Sequence, residues 1–381
     1  MRIVQVSPYR LEEEAGSLKA AHELAKRLSQ KHQVLFVCFG DKSELEKANK
    51  NLTYLKTPSL KVSHLTTPSF PGFYAVKIRK TLSEFKPDIV HIHNTSFNCK
   101  IALKWANENN IPCVITFHFV PTKGFSHLSQ PLYDTMFGKA VQEIIVQTEI
   151  KTTLRKVDKV IALNQGVLTS IREVNNTVPV EVINWGIDLG QFQKAGLKKQ
   201  GSTYNFVFVG SYNERKNQEF LVKAFEHLPQ NFQLTFYGNK TTGMMYTTKL
   251  SALIKLKNIQ NVKIEDTITH DQLVKIFEDT DYFLSASTRE VLSLVIMEAL
   301  ASGTPIIGLE NETVSQLITP KNGLVIKKDV TPEDFAVKLK TFVESNRENY
   351  GEMCEEAHKS SLPFDINDSV RKIEKLYETL V

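Results

Sequence analysis

Short apolar runs alternate with helical patterns along the whole chain, and this alternation restricts the fold more than any other feature. Continuous Val, Ile and Phe runs suit strands that are buried on both faces of a parallel sheet. Helical patterns such as Leu18, Ala21, Leu24 and Leu28 lie between many of them. We therefore predict an α/β fold. The runs predicted to form strands are Ile3–Ser7, Val34–Phe39, Asp88–His93, Cys113–His118, Val160–Leu163, Val180–Asn184, Phe206–Gly210, Leu234–Gly238, Val262–Glu265, Tyr282–Ser285, Pro305–Leu309 and Leu324–Lys327.

The alternation restarts after a polar stretch, Gln191–Asn205, which has the composition of an interdomain linker. A chain of 381 residues is also too long for one ordinary core. We predict two Rossmann-like, doubly wound parallel-sheet domains, over residues 1–190 and 191–381. Because such sheets bind ligands at the carboxyl ends of their strands, the expected active site is a cleft across which the two domains face each other.

Composition excludes several functional classes. No apolar stretch approaches the roughly 18 residues of a membrane span, and no dense basic stripe indicates nucleic-acid binding. The four cysteines lie far apart without metal-site spacing, which favours a reduced, cytoplasmic protein. Residues 1–190 contain 24 Lys and Arg against 17 Asp and Glu, whereas residues 191–381 contain 23 against 25. The basic first half suits an anionic substrate or an anionic membrane surface, or is ordinary surface composition.

An apolar helical segment, Ser287–Pro305, carries two carboxylates, Glu290 and Glu298. Buried carboxylates are costly unless they are partnered. A helix that begins near Leu292 after a strand presents free backbone N–H groups, which form a phosphate site. Two carboxylates that accept hydroxyl groups beside this site predict a nucleotide-sugar pocket. The backbone N–H groups of this predicted phosphate site are those of Ser293, Leu294 and Val295. The alternative is that Glu290 is only a helix-start carboxylate and Glu298 only a salt-bridged residue.

The same segment resembles a motif of the family 4-like retaining glycosyltransferases of the GT-B fold. Their pattern is close to E-x-F-G-L-x-x-x-E-A-M-A-x-G-x-P, and Glu290–Pro305 reads E-V-L-S-L-V-I-M-E-A-L-A-S-G-T-P. The resemblance covers essentially the whole chain and is weakest between Asp41 and Phe85. It implies that the C-terminal domain binds the donor, that the anomeric configuration is retained, and that no metal or other cofactor is used. Ser293 departs from the usual glycine.

A basic loop, Val209–Gln218, follows the strand predicted at Phe206–Gly210. The family's loop reads roughly G-R-x-x-x-x-K-G, and its cations neutralise the diphosphate leaving group. Lys216 matches the family's lysine. Ser211 replaces the arginine, and Arg215 is the obvious substitute. Fixed cations at a developing negative charge lower a barrier; the alternative is an exposed basic turn.

The first strand is followed by Gly16, which matches one glycine of the family's phosphate-binding turn, while Ala15 replaces the other. Glycine there lets the backbone approach the donor phosphate. The acidic run Glu12–Glu14 would repel phosphate, so we expect it to face solvent.

Three histidines lie on two neighbouring predicted strands, and His93 and His118 are at the strand ends. His118 matches a histidine that the family commonly has near sugar and acceptor, and we predict a functional role for it. His91 and His93 are two residues apart, so they share one face of their strand. A structural role is the preferred interpretation of both.

Two further segments resemble the family. Asn184–Asp188 is similar to its N-G-I-D motif at the domain junction, with Trp185 inserted. The chain end, residues 365–381, has the spacing of an amphipathic helix, and in GT-B proteins the last helix commonly returns to the N-terminal domain.

Together with these patterns, the resemblance implies a retaining, metal-independent glycosyltransferase. The donor would be a nucleotide-sugar, with UDP as the expected nucleotide. The acceptor, bound mainly by residues 1–190, would be a saccharide, a lipid-linked molecule or a protein in cell-surface glycan biosynthesis. Two alternatives stay open: a catalytically inactive subunit that supports a partner transferase, which the departures Ser211, Ala15 and Ser293 would allow, and a sugar-nucleotide epimerase.

Peripheral membrane binding is a further hypothesis. The segment Phe70–Lys86 mixes aromatic and basic side chains, as interfacial helices do. The alternative is a solvated helix whose Val76, Ile78 and Leu82 pack inward.

Overall fold

The computed structural model of the protein describes residues 1–11, 16–62, 65–68, 71–123, 140–141, 143–144, 146–192 and 201–381. They belong to two compact units. The N-terminal unit comprises Met1–Trp185 with Asn367–Val381, and the C-terminal unit comprises Gly186–Ile366. Glu12–Glu14 and Ala15 lie outside the described residues, so the predictions for them stay predictions.

The division between the units lies at Gly186, whereas the sequence prediction put it at residue 190. Ile187 forms a parallel bridge with Asp365, and its amide donates to the Phe364 carbonyl oxygen at 2.8 Å. A Cβ at Gly186 would lie 2.5 Å from backbone atoms of Asp365 and Ile366, so glycine is required for this approach. The two paired passages of the chain therefore set the boundary ahead of the predicted linker, of which residues 193–200 lie outside the described residues.

The N-terminal unit contains a sheet in the order β3-β4-β2-β1-β6-β7-β8-β9, with β5 paired to β4. Its pairs are parallel except for β3 with β4 and β4 with β5. Central residues such as Val4, Phe36 and Ile92 are buried, as expected of strands covered on both faces. The strands are β1 (Arg2–Arg10), β2 (Gln33–Gly40), β3 (Glu44–Lys47), β4 (Leu52–Val62), β5 (Leu65–Pro68), β6 (Ile89–His93), β7 (Cys113–Thr116), β8 (Lys159–Ala162) and β9 (Val180–Val182).

Strands β3 to β5 were not predicted. Their region has no continuous apolar run, because β3 reads E-L-E-K and β4 buries Leu52 and Tyr54 and then, one residue out of phase, Leu55, Thr57 and Ser59. Regular alternation is the signal of a half-buried strand, but here the phase changes and two of the buried residues are polar.

The helices of the N-terminal unit flank this sheet. In α2, Ile78 and Leu82 are buried whereas Val76 is exposed. Among the described residues, no helix is long and apolar enough to cross a membrane. The helices are α1 (Gly16–Leu28), α2 (Pro71–Phe85), α3 (Phe97–Glu108), α4 (Lys151–Leu154), α5 (Gln165–Val174) and, at the chain end, α13 (Ile366–Glu378).

The last helix, α13, packs on the N-terminal unit. Ile373 and Leu376 are buried, and each such side chain contributes roughly 1.5–3 kcal/mol when removed from water. Glu374 pairs with Lys31 at 3.1 Å and with His32 at 3.0 Å. Arg27 Nη1 donates to Asn367 Oδ1 at 2.8 Å. The helix is thus held at both ends of its length.

The C-terminal unit contains a fully parallel sheet in the order β12-β11-β10-β13-β14-β15. The two central strands, β10 and β13, are neighbours, so the loops that follow them emerge side by side. The elements are β10 (Tyr204–Val209), β11 (Phe232–Tyr237), β12 (Val262–Glu265), β13 (Tyr282–Ser285), β14 (Ile306–Leu309), β15 (Gly323–Ile326), α6 (Gln218–Phe225), α7 (Met244–Leu256), α8 (His270–Glu278), α9 (Leu294–Ala301), α10 (Glu312–Leu317), α11 (Pro332–Ser345) and α12 (Tyr350–Ser361).

Candidate active site

An ion cluster lies where β10 and β13 end. Lys216 Nζ donates to Glu290 Oε2 at 2.5 Å, and Arg215 Nη1 lies 3.5 Å from the same oxygen. The side chains of Lys216 and Glu290 are each only 12% exposed. The two halves of this cluster lie 74 residues apart in the chain and meet because their strands are adjacent.

Backbone hydrogen bonds hold the two loops together. The Thr288 amide and hydroxyl both donate to the Arg215 carbonyl oxygen, at 2.9 and 3.2 Å. In return, Arg215 Nη1 donates to the Arg289 carbonyl oxygen at 3.0 Å. Thr313 Oγ1 donates to the Glu290 carbonyl oxygen at 3.0 Å. The cluster is therefore fixed by its backbone as well as by its charges.

A short 3-10 turn, Glu214–Lys216, places the two cations. Asn213 caps this turn by accepting from the Lys216 amide at 3.0 Å. Asn217 adopts the left-handed conformation, with φ 57°, at the position where the resembling loop pattern has glycine. Asn tolerates that conformation better than most residues. Sequence reasoning missed both asparagines, although N-x-x-K-N is a recognisable cap-and-turn pattern.

Burial and charge act in opposite directions on this pair. Burial lowers the pKa of Lys216 below its ordinary value, while the Glu290 carboxylate works against that shift. For Glu290, burial disfavours the charged form, but Lys216 and Arg215 outweigh it and hold the pKa of this carboxyl below its usual range. Two cations share one carboxylate, so the cluster has a net charge of about +1. An incoming anion can compete with Glu290 for both cations.

Helix α9 begins at Leu294, slightly later than the predicted start near Leu292, and Ser293 is its N-cap. Among the described residues, the Ser293 side chain makes no capping hydrogen bond. The amides of the first helical turn, including those of Leu294 and Val295, have no acceptor within their own helix. With the helix dipole, they can bind an anion. Gly303, with φ 70°, follows the end of the helix.

Glu298 lies on the same helix and is 15% exposed. Its Oε1 is 4.0 Å from Nδ1 of His270, the first residue of α8. The His270 ring meets Phe192 edge to face, with ring centroids 5.4 Å apart. Nothing in the sequence pointed to His270, because its contact with Glu298 depends on how α8 and α9 pack.

The N-terminal unit brings three histidines together at the ends of β6 and β7. His93 Nδ1 and His118 Nε2 are 3.0 Å apart, and the rings of His91 and His93 have centroids 4.4 Å apart. The His118 amide donates to Asn94 Oδ1 at 2.8 Å. His91 and His93 are buried and His118 is partly buried. Burial lowers the pKa of His91 to about 3 and that of His118 to about 4, and lowers the pKa of His93 well below its ordinary value.

Gly16 is the exposed first residue of α1. A Cβ built there would have no heavy atom within 4 Å among its described surroundings. Packing against the described part of the chain therefore does not explain this glycine.

The predicted site residues thus form three groups. Arg215, Lys216 and Glu290 are in direct contact. Ser293, Leu294, Val295 and Glu298 share α9 and its N-cap, immediately after the Glu290 loop. His118 and Gly16 belong to the N-terminal unit.

Two family models match the chain. Residues 191–360 match the model described as Glycosyl transferases group 1. Residues 16–191 match the model described as Glycosyltransferase Family 4. The two matches meet near the division between the units.

Curated relatives cover most of the chain. An alpha-monoglucosyldiacylglycerol synthase of Streptococcus pneumoniae is 24% identical over an alignment of 319 positions, and the match covers 74% of this chain and 68% of the relative. Another, from Acholeplasma laidlawii, is 23% identical over an alignment of 320 positions, and the match covers 81% of this chain and 78% of the relative.

Solved structures share the fold over the full length. A sucrose-phosphate synthase from Thermosynechococcus elongatus has a TM-score of 0.83 at 16% identity and covers 100% of this chain and 98% of its own. Anabaena Alr3699/HepE, in complex with UDP and glucose, has a TM-score of 0.76 at 16% identity and covers 100% of both chains. The predicted fold class, two Rossmann-like domains with parallel sheets, is confirmed.

Proposed function

Because this chain belongs to the family 4-like glycosyltransferases of the GT-B fold, we propose that it transfers a sugar from a UDP-sugar with retention of anomeric configuration. The ion cluster of Arg215, Lys216 and Glu290 is the observation that carries this proposal. It combines fixed cations, a partnered carboxylate and a neighbouring helix N-terminus at the ends of adjacent parallel strands. UDP as the nucleotide is further supported by the Anabaena protein, whose structure contains UDP and glucose.

The C-terminal unit binds the donor in this proposal. The diphosphate lies against the first-turn amides of α9 and the two cations, since both attract negative charge. Glu298, further along the helix, accepts hydrogen bonds from the ribose hydroxyls. Glu290 accepts from a sugar hydroxyl and holds Lys216 in place before the donor arrives.

The role of the cations follows from the charge that develops on the leaving group. When the bond between the sugar and the diphosphate breaks, negative charge grows on the diphosphate oxygen. Lys216 and Arg215 neutralise it from fixed positions, which stabilises the transition state more than the ground state. We propose that these side chains do this without a metal ion.

The N-terminal unit binds the acceptor, with His118 beside the reacting hydroxyl and Gly16 beside the donor phosphate. The acceptor is a saccharide, a lipid-linked molecule or a protein in the synthesis of cell-surface glycans. Two relatives named as alpha-monoglucosyldiacylglycerol synthases support a lipid-linked acceptor. A lipid-linked acceptor would bring the protein to the inner face of the membrane.

A donor screen tests the proposal. Thermal unfolding is measured with UDP-, GDP- and ADP-sugars. The nucleotide-sugar that stabilises the protein is then incubated with it in the absence of an acceptor. The expected result is slow hydrolysis that releases the sugar with unchanged anomeric configuration, and NMR detects this product. A 2-epimer would indicate an epimerase. Stabilisation by none of the UDP-sugars, with no hydrolysis, would favour an inactive subunit and overturn the proposal.

A further inference from the structure

A buried polar chain links the last helix to the histidines of the N-terminal sheet. The Tyr377 hydroxyl of α13 lies 2.8 Å from Gln5 Nε2 and 2.6 Å from His91 Nδ1. Gln5 Oε1 lies 2.6 Å from His93 Nε2, and His93 Nδ1 lies 3.0 Å from His118 Nε2. Tyr377 and Gln5 are fully buried. These contacts join residues up to 372 positions apart in the chain.

The position of each proton along this hydrogen-bonded chain can be assigned from one residue to the next. Each histidine is neutral near pH 7, because burial depresses its pKa, so each ring carries a single N–H. Gln5 donates its amide N–H to the Tyr377 oxygen, and Gln5 Oε1 accepts from His93 Nε2–H. His93 Nδ1 is then an acceptor, and its donor is His118 Nε2–H. The remaining nitrogen of His118, Nδ1, is therefore unprotonated.

The other branch of the chain agrees with this assignment. Since the Tyr377 oxygen accepts from Gln5, its own O–H donates to His91 Nδ1. His91 then carries its proton on Nε2 and donates to Thr116 Oγ1 at 2.7 Å. Burial raises the pKa of Tyr377 above its ordinary value, so the hydroxyl keeps its proton.

The opposite arrangement would reverse every one of these bonds. A rotated Gln5 amide would accept from Tyr377 and donate to His93 Nε2, which would move the His118 proton to Nδ1. Tyr377 donates to one branch and accepts from the other, and Gln5 Nε2 also lies at a longer distance, 3.5 Å, from His91 Nδ1. Both branches must therefore change direction together, at the cost of unmade buried hydrogen bonds in any mixed state.

We propose that Tyr377 is a positioning residue that holds His118 as the Nε2–H tautomer, with Nδ1 as a hydrogen-bond acceptor for the acceptor hydroxyl. The sugar acceptor is an alcohol whose proton leaves as the glycosidic bond forms, and only an unprotonated ring nitrogen can accept from it. The last helix of the chain thus determines the state of a residue at the end of β7. The tautomer of His118 is inferred from the hydrogen bonds alone, whereas the role of His118 toward the acceptor rests on the proposed function.

Long-range ¹H–¹⁵N correlation spectra of the full-length protein with labelled histidines test the tautomer directly. The wild-type protein should show His118 as the Nε2–H form. Tyr377→Phe removes the hydroxyl, frees the Gln5 amide to rotate, and should give a mixture of His118 tautomers. A wild-type protein with His118 protonated on Nδ1 would overturn the inference by itself, even if the variant did not fold. An unchanged Nε2–H signal in Tyr377→Phe would overturn it too.

Tyr350→Phe is the matched control, because the Tyr350 hydroxyl is also buried but donates to the Asp281 carbonyl oxygen in the C-terminal unit. It should lower stability and leave the His118 signal unchanged.

Turnover separates the two levels of the proposal. Tyr377→Phe should lower kcat by roughly two- to tenfold with little change in KM for the donor, since only the molecules with the right tautomer are competent. Altered tautomers with unchanged kcat would leave the inference about Tyr377 standing and refute the catalytic role of His118.

Discussion

The residues at the strand ends differ in charge between the two units. In the C-terminal unit, β10 and β13 are followed by ionised groups: Lys216 and Glu290 are largely buried and paired with each other, and the more exposed Arg215 lies beside the same carboxylate. In the N-terminal unit, β6 and β7 end in neutral rings joined by hydrogen bonds. Under the proposed function, the first arrangement would bind a charged diphosphate. The second would face an uncharged hydroxyl, whose proton a neutral ring nitrogen can accept.

The comparison also separates two ways of stabilising buried polar groups. A carboxylate beside two cations stays ionised when removed from water, because the attraction offsets much of the desolvation cost. A histidine with partners that are only neutral gives up its proton instead. The pKa values of Glu290 and His118 are therefore both lowered, the first chiefly because cations overcome burial and the second because of burial itself.

The largest expected effect comes from removing the charge that distinguishes the C-terminal strand ends. Lys216→Ala should lower turnover by about 10²–10³-fold, by analogy with the loss of other transition-state donors. Lys223→Ala is the control, because Lys223 forms a half-exposed pair with Glu219 at 2.8 Å on the same unit, and it should leave turnover unchanged. Steady-state rates decide, and wild-type turnover in Lys216→Ala would refute the assignment.

A smaller effect is expected from Glu298, which lies beyond the ion cluster on α9. Glu298→Ala should weaken UDP binding by about 1.5–3 kcal/mol, the range for a hydrogen bond to a charged group. Isothermal titration with UDP measures it. Glu344→Ala, which removes an exposed carboxylate 3.9 Å from Lys340, should bind UDP normally. Normal binding by a folded Glu298→Ala protein would remove the ribose contact from the donor site.

Acid should distinguish the neutral strand ends from the charged ones. The pKa of a histidine is about 6.5 in the unfolded chain, whereas those of His91 and His118 lie near 3 and 4 in the folded protein. Between pH 6.5 and about 4, the unfolded chain binds protons that the folded chain does not. The free energy of unfolding should therefore fall as the pH falls through this window, by about 1.4 kcal/mol per pH unit for each histidine.

Urea unfolding at pH 7.5, 6.5, 5.5 and 4.5 measures this slope. His118→Asn should reduce it by about one histidine's share, since asparagine does not titrate. A free energy of unfolding that stays constant between pH 6.5 and 4.5 would show that folding does not lower the pKa of these histidines, and the same slope in the variant would show this for His118.

The smallest effect concerns the surface of the basic N-terminal unit. Lys77, Arg79, Lys80 and Lys86 would each add about 1 kcal/mol at most beside an anionic membrane, and salt would screen it. Two of them already have partners, because Arg79 lies 2.5 Å from Glu108 and Lys80 lies 3.8 Å from Glu84. We expect weak co-sedimentation with anionic vesicles at low salt, and none with zwitterionic vesicles. No binding to either would favour a soluble acceptor.

Much of the fold could be predicted because burial on both faces leaves a continuous apolar run. Each of the twelve predicted runs overlaps a strand of one of the two sheets. The antiparallel edge of the N-terminal sheet was missed because β3 and β4 show charged residues and alternation instead.

Phe70 lies outside the described residues, so the aromatic part of the membrane hypothesis stays a prediction.

The candidate site divides in the same way. The E-x7-E spacing and the basic loop singled out Glu290, Glu298 and Lys216 before any contact was known. His270 and Tyr377 carried no signal, because each acts through a partner on another element. Arg215 was selected only as a substitute for a missing arginine; it lies 3.5 Å from Glu290, and its role toward a diphosphate stays a prediction.

By itself, the sequence determined the α/β fold of two Rossmann-like domains, the strands that are continuous apolar runs and the residues that follow the central strands. These depend on hydrophobic periodicity and turn chemistry, which act over a few residues. Only the tertiary structure decided which of those residues meet. Strand order sets Lys216 against Glu290, and the return of α13 sets Tyr377 between Gln5 and His91. Such contacts arise from the packing of elements distant in the chain, which no local pattern records.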